Sequence, residues 1–229
     1  MPEIAVVAFD VGETLIDETR IWSRWADRLG VTRLTMMGVL GAMAAADRPH
    51  DDAFKIVRPG LDVDAELGRW QVEDPHSLRA DFDADDLYPD VRQCFAALER
   101  SGRRVIIAGN QPPPARAALE AMGLDVDAIL ISDELGVHKP APAFFAAVAE
   151  VTGVSPERIA YVGDRLDNDV LPARRAGMRT VLLRRGPWGH LHAERPEAEQ
   201  ADLITDSLAA LPDLLDVLPA LGSDAPTGA

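Results

Sequence analysis

The chain has 229 residues, 47% apolar and 27% charged, a balance that excludes disorder and permits a sizeable core. Its formal charge of −15 at pH 7 excludes the basic patches on which nucleic-acid binding depends, so an anionic ligand would need local positive charge, most simply a metal ion. The single cysteine, Cys94, rules out an internal disulfide, and Glu3 with the short apolar run after it reads as neither a secretory signal nor a membrane span, so a cytoplasmic location is expected.

The first element is the run Ile4 to Phe9, apolar throughout, as in a strand covered on both faces. It stops at Asp10 in "VVAFDVGETLIDE". The pattern then changes. "TRIWSRWADRLG", "RLTMMGVLGAMAAAD" and "VDAELGRWQVED" read as helices, and residues 18–86 show no convincing strand. From Leu87 helix and strand alternate. "YPDVRQCFAALERSG" is a helix, "RVIIAGN" a strand, "PPARAALEAMGL" a helix, "AILIS" a strand and "PAPAFFAAVAEVTG" a helix. "RIAYVGD", "DVLPARRAG", "RTVLLRRG", "ADLIT" and "SLAALPDLLDVL" continue the alternation to the end. Such a series predicts a Rossmann-like α/β fold with a parallel sheet. The expected division is a core of 1–17 and 87–222, a helical cap at 18–86 inserted after the first strand, and a disordered tail at 223–229.

In open α/β sheets ligands sit beyond the carboxyl ends of the strands. Three strands here end in polar residues: Asp10, the pair Gly109 and Asn110, and Asp164 in "VGDRLDND". Lys139 follows the strand "AILIS" in "SDELGVHKP". Carboxylates, a lysine and an asparagine on one rim suit a hard cation such as Mg²⁺ and a carboxylate that attacks a phosphoryl group. Read singly, Asp10 is also an ordinary turn residue, and Asp167 and Asp169 also suit the positive end of a following helix. The joint arrangement favours a site.

"DVGET", "AGN", "HKP" and "GDRLDND", in that order, resemble the four motifs of the haloacid dehalogenase superfamily, over nearly the whole chain. The resemblance implies that Asp10 is nucleophile and metal ligand, and that the Gly12 carbonyl and Asp164 complete the protein's share of a Mg²⁺ shell. It implies that Lys139 neutralises Asp10 and the transferring phosphate, that Asp169 supports the metal, and that Gly109, Asn110 and Lys139 contact substrate. The expected function is a Mg²⁺-dependent phosphatase, monomer or homodimer, acting on a small phosphorylated metabolite through an aspartyl-phosphate. The alternative is a relative that binds metal or phosphate without turnover and acts as a regulatory or interaction protein.

Two positions depart from the family pattern. Gly12 stands where its phosphatases carry the acid that protonates the leaving oxygen, a function typically worth about 10²–10⁴ in rate. Gly109 stands where they carry Ser or Thr. Glu13 and Asp17 are weak substitutes for the missing acid, being better read as turn or hinge residues. The family's dehalogenases also lack that acid, but their fourth motif differs from "GDRLDND". Its phosphonate-cleaving members use a cap lysine, and Lys55 is the one lysine in the cap, better read as solvated. Trp22, Trp25, Met36 and Met37 read as packed cap core or, failing that, as lining of a pocket mouth. "RRGPWGH" reads as a loop, with His190 and His192 spaced by two and no sign of a zinc site.

Overall fold

The computed structural model describes residues 3–74 and 82–218. The tail 223–229 expected to be disordered, and part of the stretch 18–86, lie outside the described residues. Among the described residues, six strands form one parallel sheet: β1 (Val6–Phe9), β2 (Arg104–Gly109), β3 (Ala128–Ile131), β4 (Ile159–Gly163), β5 (Arg179–Leu183) and β6 (Leu203–Thr205). Their order is β3-β2-β1-β4-β5-β6. The chain leaves β1 for one side of the sheet and returns to its other side at β4, so the switch point that gathers ligands in such folds lies at the end of β1.

The unbroken apolar run of β1 is explained by its two covered faces. Val7 and Phe9 pack under α5 (Val91–Arg100), whose Val91, Cys94, Phe95 and Leu98 form one helical stripe. The Phe9 and Phe95 rings lie 4.9 Å apart. Val6 and Ala8 face the opposite side, where α8 (Pro142–Thr152) brings Phe144, Phe145 and Val148. Fully burying each such side chain is worth roughly 1.5–3 kcal/mol, which holds the strand end that carries Asp10. Cys94 is core filler, and burial pushes its thiol up to about 12.

Between β1 and α5 lie α1 (Thr19–Leu29), α2 (Arg33–Ala45), α3 (Asp52–Val57) and α4 (Val63–Glu73), of which α3 was not anticipated. The starts of α2 and α4 are capped as their sequences suggest: Thr32 Oγ1 accepts from the Thr35 N–H at 3.2 Å and Asp62 Oδ1 from the Ala65 N–H at 2.9 Å. These helices share a core of Trp25, Met36, Leu40, Met43, Phe54 and Trp70, with the Trp25 ring 4.5 Å from Phe54 and 5.1 Å from Trp70. The remaining helices flank the sheet: α6 (Pro114–Ala121), α7 (Ser132–Leu135), α9 (Leu171–Arg175), α10 (Gly186–Ala193) and α11 (Leu211–Asp216).

α10 is the main departure from the sequence reading, which made "RRGPWGH" a loop. Pro187 stands in the first turn of this helix, where a missing N–H costs nothing. Gly189 passes so close to the sheet that a Cβ there would lie 3.2 Å from the Arg184 Cα and closer still to the Leu183 carbonyl. The glycine thus marks close packing and not a turn. Trp188 leaves α10 to join the core of the inserted helices, which ties them to the end of β5.

Candidate active site

β1 and β4 are in register from Val6 opposite Ile159 to Phe9 opposite Val162, so Asp10 and Asp164 leave the sheet side by side. Lys139 arrives from the loop between α7 and α8, and Asp169 from the turn that follows β4. The lysine Nζ lies 2.6 Å from Asp10 Oδ1 and 2.6 Å from Asp169 Oδ1. It also sits 5.7 Å from the centre of the Tyr161 ring, whose hydroxyl donates to the Ala108 carbonyl. Asp10, Asp164 and Asp169 each bring an oxygen within 4.8 Å of the others. All four side chains are buried.

Such crowding shifts their titration. Burial raises Asp164 well above the usual carboxylate range, and the charges of Asp169 and Asp10 add to it. For Asp169, burial outweighs the neighbouring ammonium and leaves the carboxyl at about 6. Burial opposes the charge on Lys139, but Asp10 and Asp169 overcome it and hold the ammonium well above its ordinary value. A divalent cation among these oxygens would relieve the repulsion. The donor set fits one: Asp10, Asp164 and the carbonyl of Gly12, which lines the same cavity, are hard oxygen ligands. Asp169 stands behind them, with Oδ1 against Lys139 and Oδ2 accepting the Arg165 N–H at 3.1 Å.

The structure gives the second departure a spatial setting. A Cβ on Gly109 would lie 2.8 Å from Asp10 Oδ1 and 3.0 Å from Val11 Cγ2, so a serine or threonine here would need one of these side chains to shift. Asn110 grips the lysine loop from both ends of its amide. Its Oδ1 accepts the Lys139 N–H at 2.8 Å, and its Nδ2 donates to the Lys139 carbonyl at 3.0 Å.

The weaker candidates also find their places. Glu13 accepts from the Tyr88 hydroxyl at 2.6 Å and from the Glu18 N–H at 3.0 Å, while burial and then the Glu18 charge raise it to about 7. Asp17 Oδ1 accepts the Thr19 N–H at 2.8 Å at the start of α1. Lys55 is 71% exposed and pairs with Asp52 at 2.6 Å on α3, outside the cavity. Trp22 and Met37 line the cavity, whereas Trp25 and Met36 are core.

Above the acids opens a cavity of about 370 Å³, walled by Trp22, Met37, Leu40, His50, Tyr88 and Trp188. Glu18 also lines it, at the junction of the β1 turn and α1, a position with no motif to announce it. His192, weighed in the sequence only as a zinc ligand, has a packing role instead. It is fully buried on α10, and its Nδ1 accepts the Leu166 N–H at 3.0 Å, which secures the loop bearing Asp164 and Asp169.

Burial is the chief cause that lowers His192 to about 4. Between that value and 6.5 the unfolded chain binds the extra proton, so this contribution to stability is full above pH 6.5 and is lost as pH falls toward 4. At about 1.4 kcal/mol per unit the loss is about 3 kcal/mol. His192→Gln, which keeps an acceptor for Leu166, is expected to flatten the pH dependence of unfolding in this window. An unchanged slope by urea titration would refute the assignment.

A family model described as haloacid dehalogenase-like hydrolase matches residues 4–177. A glyceraldehyde 3-phosphate phosphatase of Pyrococcus furiosus is 33% identical over 237 residues, covering 95% of this chain and 94% of that protein. A protein of the same name from Methanopyrus kandleri is 43% identical over 97 residues, but there the match spans 42% of this chain and 40% of the relative. Among solved structures, a dehalogenase with an intermediate complex superposes with a TM-score of 0.68 at 22% identity, covering 93% of this chain and 98% of that one, which shows the shared fold. The family match covers the sheet through β4 and includes Asp10, Gly109, Lys139, Asp164 and Asp169. The chain belongs to the haloacid dehalogenase-like hydrolases and is a hydrolase of that family.

Proposed function

We propose that this hydrolase is a Mg²⁺-dependent phosphatase that cleaves a small phosphorylated metabolite through an aspartyl-phosphate at Asp10. The observation that carries the reading is the buried row Asp10–Lys139–Asp169, with Asp164 beside it, of which Asp10, Lys139 and Asp164 line the cavity. The names of the relatives, phosphatases both, support it. Lys139 holds the nucleophile in place and offers positive charge to the phosphoryl oxygens as they gather charge in the transition state. Mg²⁺, held by Asp10, Asp164 and the Gly12 carbonyl, would supply the rest of that charge.

The cavity lining supports a metal on electrostatic grounds. Asp10, Glu13, Asp17, Glu18 and Asp164 oppose only Lys139 and Arg165 among its charged residues, a poor seat for a phosphate dianion without a further cation. The cap-side wall of Trp22, Met37, Leu40 and Trp188 would take the apolar part of a leaving group and exclude water from the acids. The division into a core and a cap at 18–86, a cytoplasmic location and a small phosphorylated substrate bound by a monomer or homodimer belong to the same proposal. Among the described residues no helix is long and apolar enough to cross a membrane.

The test is phosphate release from an aryl phosphate in Mg²⁺, with a chelator as control. Release that the chelator stops is expected. No release by a chain that still binds Mg²⁺ would replace this reading with a non-catalytic binding protein.

A further inference from the structure

Position 12 has no carboxyl, yet the space such a group would occupy is filled by one. A Cβ built on Gly12 lies 2.9 Å from the carboxyl carbon of Glu18 and closer still to its Oε1. The acid absent from the end of β1 is thus delivered from the start of α1, six residues further along. Among the described residues, one hydrogen bond holds its backbone and one its carboxyl. The Glu18 N–H donates to Glu13 Oε1 at 3.0 Å, and Trp22 Nε1 donates to Glu18 Oε2 at 3.0 Å, with Oε1 the oxygen nearer Gly12. Glu18 lines the same cavity as Asp10, Lys139 and Asp164.

We propose that Glu18 is the proton donor to the leaving oxygen and, in the second half-reaction, the base that activates water. The assignment rests on the phosphoryl-transfer reading above. In the first step an Asp10 oxygen bonds to phosphorus and the ester P–O bond breaks. Its electron pair stays on the leaving oxygen, which takes the proton of the Glu18 carboxyl and departs as the alcohol. In the second, water attacks the phosphorus and gives its proton to Glu18. The bond between phosphorus and Asp10 breaks, its electron pair returns to Asp10, and inorganic phosphate leaves. One water is consumed, one alcohol and one phosphate are released, and Glu18 ends protonated as it began.

The same geometry suits a glycine at position 12. A Cβ at this position would press on the Glu18 carboxyl and oblige that side chain to swing aside, so glycine leaves the Glu18 carboxyl its present place.

The experiment compares wild type and Glu18→Gln, saturated with Mg²⁺, on an aryl phosphate and on glycerol phosphate. Glutamine keeps an acceptor for Trp22. On the aryl ester, whose leaving group needs no proton, Glu18→Gln is expected to release a burst of phenol and then stall. Acid-quenched enzyme would then carry one phosphoryl adduct by intact mass. On glycerol phosphate its turnover is expected to fall by about 10²–10⁴ with no burst. The double variant Gly12→Asp/Glu18→Ala, which moves the carboxyl back to position 12, is expected to recover glycerol phosphate turnover. Equal losses on both esters without an adduct, or no loss on either, would overturn the role of Glu18 and leave the phosphatase reading intact. A wild type that cleaves neither ester would overturn both.

Discussion

Asp10→Asn is expected to lower phosphate release from an aryl phosphate by on the order of 10⁴-fold or more, the scale seen when a nucleophile is removed. Asparagine keeps the size of the side chain but not the carboxylate proposed as nucleophile, and the other carboxyl beside Lys139 among the described residues, Asp169, is fully buried and does not line the cavity. The fold should survive. The lysine keeps Asp169 as a partner at 2.6 Å, and the variant carries one fewer charge in a crowded acid cluster. A melting temperature near that of wild type, with the phosphoryl adduct absent from the intact mass, is the expected pair of results. Release at the wild-type rate would mean that the phosphoryl group passes through another residue or directly to water.

Lys139→Met is expected to damage stability as well as activity. The lysine side chain is 1% exposed and touches both Asp10 and Asp169 at 2.6 Å, so methionine leaves buried carboxylates without their counter-charge. Removing one partner of a buried ion pair costs about 3–5 kcal/mol. For a chain of this size that lowers melting by on the order of 10 °C. Mg²⁺ should restore part of the loss and raise the melting temperature of Lys139→Met more than that of wild type, because it returns positive charge to the same oxygens. Thermal unfolding with and without Mg²⁺ checks this. A variant as stable as wild type and indifferent to Mg²⁺ would show that the carboxyls stay neutral without the lysine.

These predictions use residues that were legible in the sequence. Asp10, Lys139, Asp164 and Asp169 stand in short motifs beside strands, and parallel strands in register deliver their following residues to one edge. Linear order and strand periodicity are enough to bring such residues near one another. The two departures were legible as departures, but their meaning was not. Gly109 reads in sequence as a lost hydroxyl, whereas in the fold it also leaves room for Asp10 Oδ1 in its present place. Gly12 reads as a lost acid, whereas the neighbouring helix start occupies that space with Glu18.

The misreading of α10 has a related cause. In "RRGPWGHLHA" glycine and proline outweigh any helical signal, and propensity argues for a loop. Burial of Trp188 among the inserted helices and of His192 beneath Leu166 overrides it. Trp22 and Met37 likewise differ from Trp25 and Met36 in nothing local. Only the placement of the inserted helices over the sheet decides which of them face the cavity.

The sequence by itself therefore determined the parallel α/β core, the edge at which its polar strand ends gather and the placing of Asp10, Lys139, Asp164 and Asp169 there. All three follow from alternation and from the directionality of strands, which are local properties of the chain. Tertiary structure alone decided which glycines are spaces and which side chains fill them. Occupancy of a volume depends on segments that approach from elsewhere in the fold, and Glu18 reaches the place beside Gly12 only because the chain turns back into α1.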